Sequence, residues 1–300
     1  MNLIGSLHVT ARIRGGVFES CEVTLSRPEV TRLFTGRSAY SVEQLIPGLY
    51  ALCAQAQWAA AGQALAAAQG MPLPPQRTQL LWHELLHETL WRLLLDWPAA
   101  VGLEPARLAF AEWRRQREQD ANGQISQALL DGPLADLFNQ CLERLPDQPS
   151  HATATAAPEL DPESWCLHWV GGAWTPPERH PVMSIRGAFL ARVQAAHDAA
   201  RGLAEQRPYP LACWGEAPHG IAQALTARGV LTHAASVEQG RVTRYGVWAP
   251  TDHHFANAQA INRLLAGQPA PDEAQARQLL GQAVLALDPC LPYTLELHHA

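Results

Sequence analysis

Residues 288–300 read Asp288-Pro289-Cys290-Leu291-Pro292-Tyr293-Thr294-Leu295-Glu296-Leu297-His298-His299-Ala300. A helical pattern over Asp272–Leu285 leads into this segment, which places one cysteine directly after an Asp-Pro pair. A thiol meant for metal chemistry needs a second one, and two thiolates close in space usually come from different elements. The candidate lies far upstream, in Gly48-Leu49-Tyr50-Ala51-Leu52-Cys53-Ala54-Gln55-Ala56-Gln57-Trp58-Ala59-Ala60, where Cys53 falls within an alanine-rich helical run. In both segments a tyrosine stands three residues from the cysteine, Tyr50 before Cys53 and Tyr293 after Cys290.

The rest of the chain bounds what such a pair can serve. Its 300 residues are 47% hydrophobic and 17% charged, the balance of a soluble globular protein with ample core. A net charge of -6 argues against nucleic-acid binding, which leaves a basic footprint. The densest basic run, Arg114-Arg115-Gln116-Arg117, is flanked by Glu112 and Glu118 and reads as a solvated helix face. The N-terminus lacks the basic-then-apolar pattern of a secretory signal. No window approaches the roughly twenty apolar residues of a membrane span, and the apolar run near Leu90–Leu95 is broken by Arg92 and Asp96. A cytoplasmic protein without membrane insertion is expected. The six cysteines (Cys21, Cys53, Cys141, Cys166, Cys213, Cys290) form no CxxC pair and are expected as thiols, most of them small core residues.

Alternation of Leu7, Val9, Ala11 and Ile13, followed by Val17–Leu25 after Gly15-Gly16, predicts a β-hairpin. Helices are predicted over Val42–Gly70, Thr78–Trp97, Pro105–Gln119 and Ile185–Gln206, the last with Phe189, Leu190, Val193 and Leu203 as core positions. Strands are predicted within Gly220–Ala235 and Arg241–Ala249, with a short helix at Ala256–Ala266. Residues 146–163, rich in Pro, Ala and Thr, read as an exposed loop. Trp165, Trp169, Trp174 and Trp214 gather around this unmatched middle of the chain, as core or as a partner-binding patch. A single α+β domain over 1–300, predominantly α-helical with a small N-terminal sheet, accommodates all of this.

The two cysteine segments resemble those of [NiFe]-hydrogenase large subunits. Residues 288–300 resemble the C-terminal DPCxxCxxH motif, with Tyr293 at the second cysteine and Glu296 at the histidine where maturation cleavage occurs. Residues 48–60 resemble the CGICxxxH segment, with Tyr50 at the first cysteine and Gln57 at the histidine. Leu33-Phe34-Thr35-Gly36-Arg37 and Ile46-Pro47-Gly48 fit the loop preceding it. Glu216-Ala217-Pro218-His219-Gly220 resembles EAPRG, with His219 for the arginine, and Tyr245–Asp252 resembles the strand ending in Pro-Thr. Ile4 occupies the place of a glutamate proposed to pass protons. The likeness implies a truncated large-subunit-like fold in which Cys53 and Cys290 are metal ligands, and Thr251 and His219 hydrogen-bond an iron unit's cyanides. With two thiolates fewer and two neutral phenols in their place, no nickel is expected.

Half the ligands, no proton-passing acid and no tail beyond residue 300 make the chain resemble the HupK/HoxV-type accessory proteins. That resemblance implies a non-catalytic scaffold that transiently holds Fe(CN)2CO. Its implied partners are a HypC-type maturation chaperone and the hydrogenase large-subunit precursor. Two alternatives stand beside it. One is a metal-free structural or interaction paralogue. The other is a zinc hydrolase built on His83-Glu84-Leu85-Leu86-His87, whose HExxH spacing puts two imidazoles on one helix face, with Glu104 or Glu112 as third ligand. His253-His254 and His298-His299, the latter pair at an expectedly mobile terminus, are further adventitious metal candidates.

Overall fold

A computed structural model describes residues 5–146, 159–172 and 181–299. Ile4, Trp174 and positions 147–158 of the expected loop lie outside these residues. The predicted hairpin is present as β1 (Ser6–Arg14) and β2 (Val17–Ser26), turned at Gly15 and Gly16, both with positive φ. Leu7, Val9 and Ala11 are fully buried on one face of β1, as period-two alternation requires.

Helices follow at α1 (Ala39–Leu49), α2 (Ala54–Ala68), α3 (Thr78–Trp91), α4 (Trp97–Ala100), α5 (Arg107–Gln116), α6 (Gln124–Asp131), α7 (Pro133–Arg144), α8 (Pro162–Gly171) and α9 (Ile185–Ala204). The single helix expected over Val42–Gly70 is two helices. Pro47 and Gly48 weaken the last turn of α1, and Cys53 takes the left-handed conformation (φ 54°) at the N-cap of α2. A five-residue π segment, Arg92–Asp96, joins α3 to α4. In α9 the core reading needs correction at Leu190, which is 37% exposed, while Arg192 is buried. The expected loop also ends early, since α8 begins at Pro162 with Asp161 as its cap.

A second sheet, in order β3-β4-β5-β6, is formed by Leu211–Glu216, His219–Thr226, Gly229–Glu238 and Arg241–Trp248, all antiparallel. The predicted strand region Gly220–Ala235 is therefore a hairpin turning at Ala227-Arg228, and β3 was not foreseen. Alanine-rich α2 lies across this sheet. A Cβ at Gly220 would stand 2.3 Å from Ala64 O, so that glycine sets how closely sheet and helix approach. The chain closes through α10 (Pro250–His254), α11 (Gln259–Leu265), α12 (Glu273–Leu287) and β7 (Tyr293–His299). The terminus is not a free tail. β7 pairs in parallel with β1, Leu7 opposite Tyr293 and Ile13 opposite His299, giving a sheet of order β2-β1-β7.

The main core joins the N-terminal sheet, α3, α9 and α12, with Trp97 and Phe189 edge to face at 5.4 Å. Trp165 and Trp169 are buried in a smaller core between α8 and the second sheet, with the partly buried Trp214 and Trp248 packed against it. The run Arg114-Arg115 is exposed on α5, as predicted. No helix among the described residues is long and apolar enough to cross a membrane.

Candidate metal-binding site

Two segments remote in sequence meet because α2 begins, and α12 ends, at the same place. Each junction carries a non-glycine residue in the left-handed region, Cys53 at φ 54° and Asp288 at φ 48°. That conformation costs on the order of 1–2 kcal/mol and persists where surroundings over-determine it. At Cys53 the surroundings are Glu84, whose carboxylate oxygens accept the amides of Gln55 (2.7 Å) and Ala56 (2.9 Å). Glu84 thereby caps the free N–H groups of α2. Burial raises its pKa to about 7, against the lowering effect of those two amide bonds.

Cys53 is buried, and its Sγ accepts from Arg228 Nη1 at 3.3 Å. Arg228 also donates to Glu88 Oε2 at 2.9 Å and pairs with Asp288 Oδ1 at 3.3 Å. Burial pushes the Cys53 thiol well up, and the guanidinium opposes that only in part. Cys290 contributes to the same shift, which places the two sulfurs within each other's field.

Asp288 anchors this centre. Its buried carboxylate pairs with Arg92 at 2.7 Å, Arg192 at 3.1 Å and Arg228 at 3.3 Å. Burial alone would raise the pKa of Asp288, but the three arginines hold it low. The π segment aims Arg92, which further donates to Pro289 O at 3.0 Å, in keeping with the habit of such bulges to sit at functional sites.

On the other side, Cys290 is half-buried. Thr251 Oγ1 donates to its Sγ at 3.2 Å and accepts from its backbone N–H at 3.1 Å. Arg27 Nη2 donates to the same sulfur at 3.2 Å, while Arg27 Nε pairs with Asp252 Oδ1 at 2.6 Å. The structure thus brings Cys53, Cys290 and Thr251 to one site.

His219 is not with them. It shares Ser236 Oγ (2.8 Å) with Trp169 Nε1 (3.2 Å), at the opposite end of β4 from Arg228. Seven residue steps along the strand separate His219 from Thr226, about 23 Å at the usual rise. The guanidinium beside a thiol is Arg228, and the segment Ala227-Arg228-Gly229 carried the signal for it, an Arg-Gly pair opening a strand. Arg27 had no such signal. Tyr50 lies in the field of Arg27 and Asp252, and burial raises its pKa, so the phenol stays neutral. Tyr293 is 40% exposed at the start of β7. Gln57 Oε1 faces His233 Nε2 at 2.7 Å, and His233 Nδ1 faces the Tyr245 hydroxyl at 2.8 Å. Burial lowers the His233 pKa to about 3, so this relay is uncharged.

The HExxH segment has structural employment instead. Glu84 caps α2, His83 Nε2 meets Asp120 O at 3.1 Å, and His87 packs on Phe110 and Trp113. His254 Nδ1 meets Leu287 O at 2.8 Å, and His298 lies in β7 near Glu296. Among the described residues no group of three or more His, Cys, Asp or Glu side chains is arranged to hold a metal ion. A metal bound between Cys53 and Cys290 would bring its remaining ligands with it.

No protein-family model matches the chain. The hydrogenase expression/formation protein HupK of Azotobacter vinelandii is 30% identical over 349 residues, covering 99% of this chain and 100% of the relative. The chain belongs to the HupK/HupV/HoxV family of hydrogenase expression/formation proteins. HupV of Azotobacter chroococcum mcd 1 is 27% identical with the same coverage. The Ni-Fe-Se hydrogenase from D. vulgaris Hildenborough superposes with a TM-score of 0.61 at 12% identity, over 93% of this chain and 94% of that one. The fold is that of a hydrogenase large subunit, with about 52% of the described residues helical and with small sheets.

Proposed function

We propose that this protein is a non-catalytic carrier that holds an Fe(CN)2CO unit between Cys53 and Cys290 and passes it to a hydrogenase large-subunit precursor. The observation that carries this reading is the convergence of two remote cysteines, each with its own guanidinium donor, at one place in a large-subunit fold. Two thiolates are a weak hold for a bare ion. They suit an iron that arrives with strong-field ligands, and hydrogen-bond donors around the sulfurs suit cyanide nitrogens. Arg228 and Thr251 are the donors assigned to those nitrogens. A HypC-type chaperone is the proposed source of the iron unit.

Binding requires both thiols to lose their protons, so loading weakens as pH falls. Anaerobically purified protein should show iron together with cyanide and carbonyl stretches in the infrared. Cys53→Ala and Cys290→Ala should stay folded, lose those bands and abolish hydrogenase maturation in cells. Normal hydrogenase activity with both variants would overturn the proposal, and a metal-free preparation with normal maturation would favour a structural role.

A further inference from the structure

The second thiol has a cationic partner that the resemblance to the two-metal enzymes does not supply. We propose that Arg27 takes over, on the outer side of the thiol pair, the positive charge that a second metal gives in the related enzymes, and that it contacts the bound iron unit directly. The inference rests on the carrier reading above.

The observations are geometric. Arg27 follows the last residue of β2, and its Nη2 reaches Cys290 Sγ at 3.2 Å. Its Nε pairs with Asp252 at 2.6 Å, and Asp252 Oδ2 accepts the Ala249 amide at 2.8 Å, fixing the carboxylate on α10. The neighbouring Thr251 donates to the same sulfur. Tyr50, at the place of one missing cysteine, lies in the field of both Arg27 and Asp252. The guanidinium therefore stands near Tyr50, at one of the two ligand positions where tyrosine replaces cysteine.

Charge counting gives this placement a purpose. Ferrous iron with two cyanides and one carbonyl is neutral. When each cysteine forms an S–Fe bond and gives its proton to water, and the groups that held the unit on its donor leave with the donor, the bound unit carries two negative charges. Arg228 already faces two carboxylates, Glu88 and Asp288, so little of its charge is free to answer them. Arg27 faces one carboxylate and is part-exposed, so it can be shared with the cargo. A guanidinium offers five N–H donors in a planar fork. One N–H on the sulfur, with the ion pair to Asp252 beside it, leaves others for a cyanide nitrogen.

The test compares wild type, Arg27→Gln and Arg27→Lys, all purified anaerobically from cells that make the iron unit. Iron and cyanide-band intensity per chain are followed through timed dilution and gel filtration. Loss of a hydrogen bond to a charged group predicts that Arg27→Gln releases the unit about tenfold faster, about 1.4 kcal/mol, with displaced cyanide frequencies in what remains. Arg27→Lys should recover most of the retention but keep the displaced frequencies, because an ammonium lacks the fork. Wild-type bands with both variants unchanged would overturn the Arg27 inference and leave the carrier reading standing. Absence of bands from the wild type overturns both. If Arg27→Gln does not fold, Arg27→Lys decides alone, with displaced bands in support and unmoved bands against.

Discussion

The two thiols lie within each other's field and in very different surroundings. Cys53 belongs to an interior whose arginine is 3% exposed and fixed by two carboxylates. Cys290 belongs to a rim whose arginine is 28% exposed and fixed by one carboxylate that is itself 25% exposed. Charges that are buried and multiply paired cannot move without large cost, whereas exposed pairs are worth little and rearrange easily. A carrier needs both properties. On the carrier reading proposed above, the interior side would define where the cargo sits and the rim side would let it come and go.

The comparison breaks most visibly at Asp288. Asn shares the shape of Asp and tolerates left-handed backbone, so Asp288→Asn removes charge and little else. Two buried arginines, Arg192 and Arg228, and the half-buried Arg92 lose their common partner, and stability should fall by roughly 3–5 kcal/mol in urea unfolding. A loss under about 1 kcal/mol would show that the interior is no more rigid than the rim.

Glu84 sharpens the interior half. Its pKa is raised to about 7 by burial, from 4.5 in a solvated chain. The folded protein therefore holds this proton where the unfolded chain has released it. Glu84 contributes most to stability below pH 4.5, and that contribution drains away as pH rises to about 7. The full swing is about 3 kcal/mol at 1.36 kcal/mol per unit. Glu84→Gln stays neutral throughout, so its urea midpoint should lack this decline between pH 5 and 7. Parallel pH profiles for variant and wild type would refute the assignment.

How much of this was legible from residues alone follows a physical divide. The first hairpin was, because Leu7 to Ile13 alternate and two glycines mark the turn. Helices α5, α9 and α12 were, within a few residues, because each carries its own period, while the helix expected over Thr78–Trp97 ends at Trp91, where the π segment takes over. The break at Cys53 was not. It depends on Glu84 and Arg228, which reach it from elsewhere in the chain, and no local rule encodes that. The strand β7 also escaped, because both its faces are largely exposed and its partner β1 is nearly the whole chain away. Cys53, Cys290 and Thr251 could be named from short motifs. Their arginines were harder, since His219 sat in the more complete match to EAPRG while Arg228 sat in a bare Ala-Arg-Gly. Arg27 is a rim residue whose role exists only once β2 is docked beside α10.

The smallest expected effect tests the rim. Thr251 is fully buried, and its single hydroxyl serves Cys290 twice, donating to the sulfur and accepting from the amide. Thr251→Val keeps the β-branched shape and removes both bonds. The Cys290 amide loses its acceptor, which costs about 1–2 kcal/mol if the amide finds nothing else. Because this cysteine is half-buried, water can meet part of that need, and the measured loss should fall toward the lower figure. The sulfur loses one of two donors but keeps Arg27. Alkylation of Cys290 under native conditions should therefore speed up as the segment loosens, while Cys53 stays protected. Equal protection of both cysteines in Thr251→Val would mean that Thr251 does not hold the rim, and the contrast between a fixed interior and an adjustable edge would have to be drawn elsewhere.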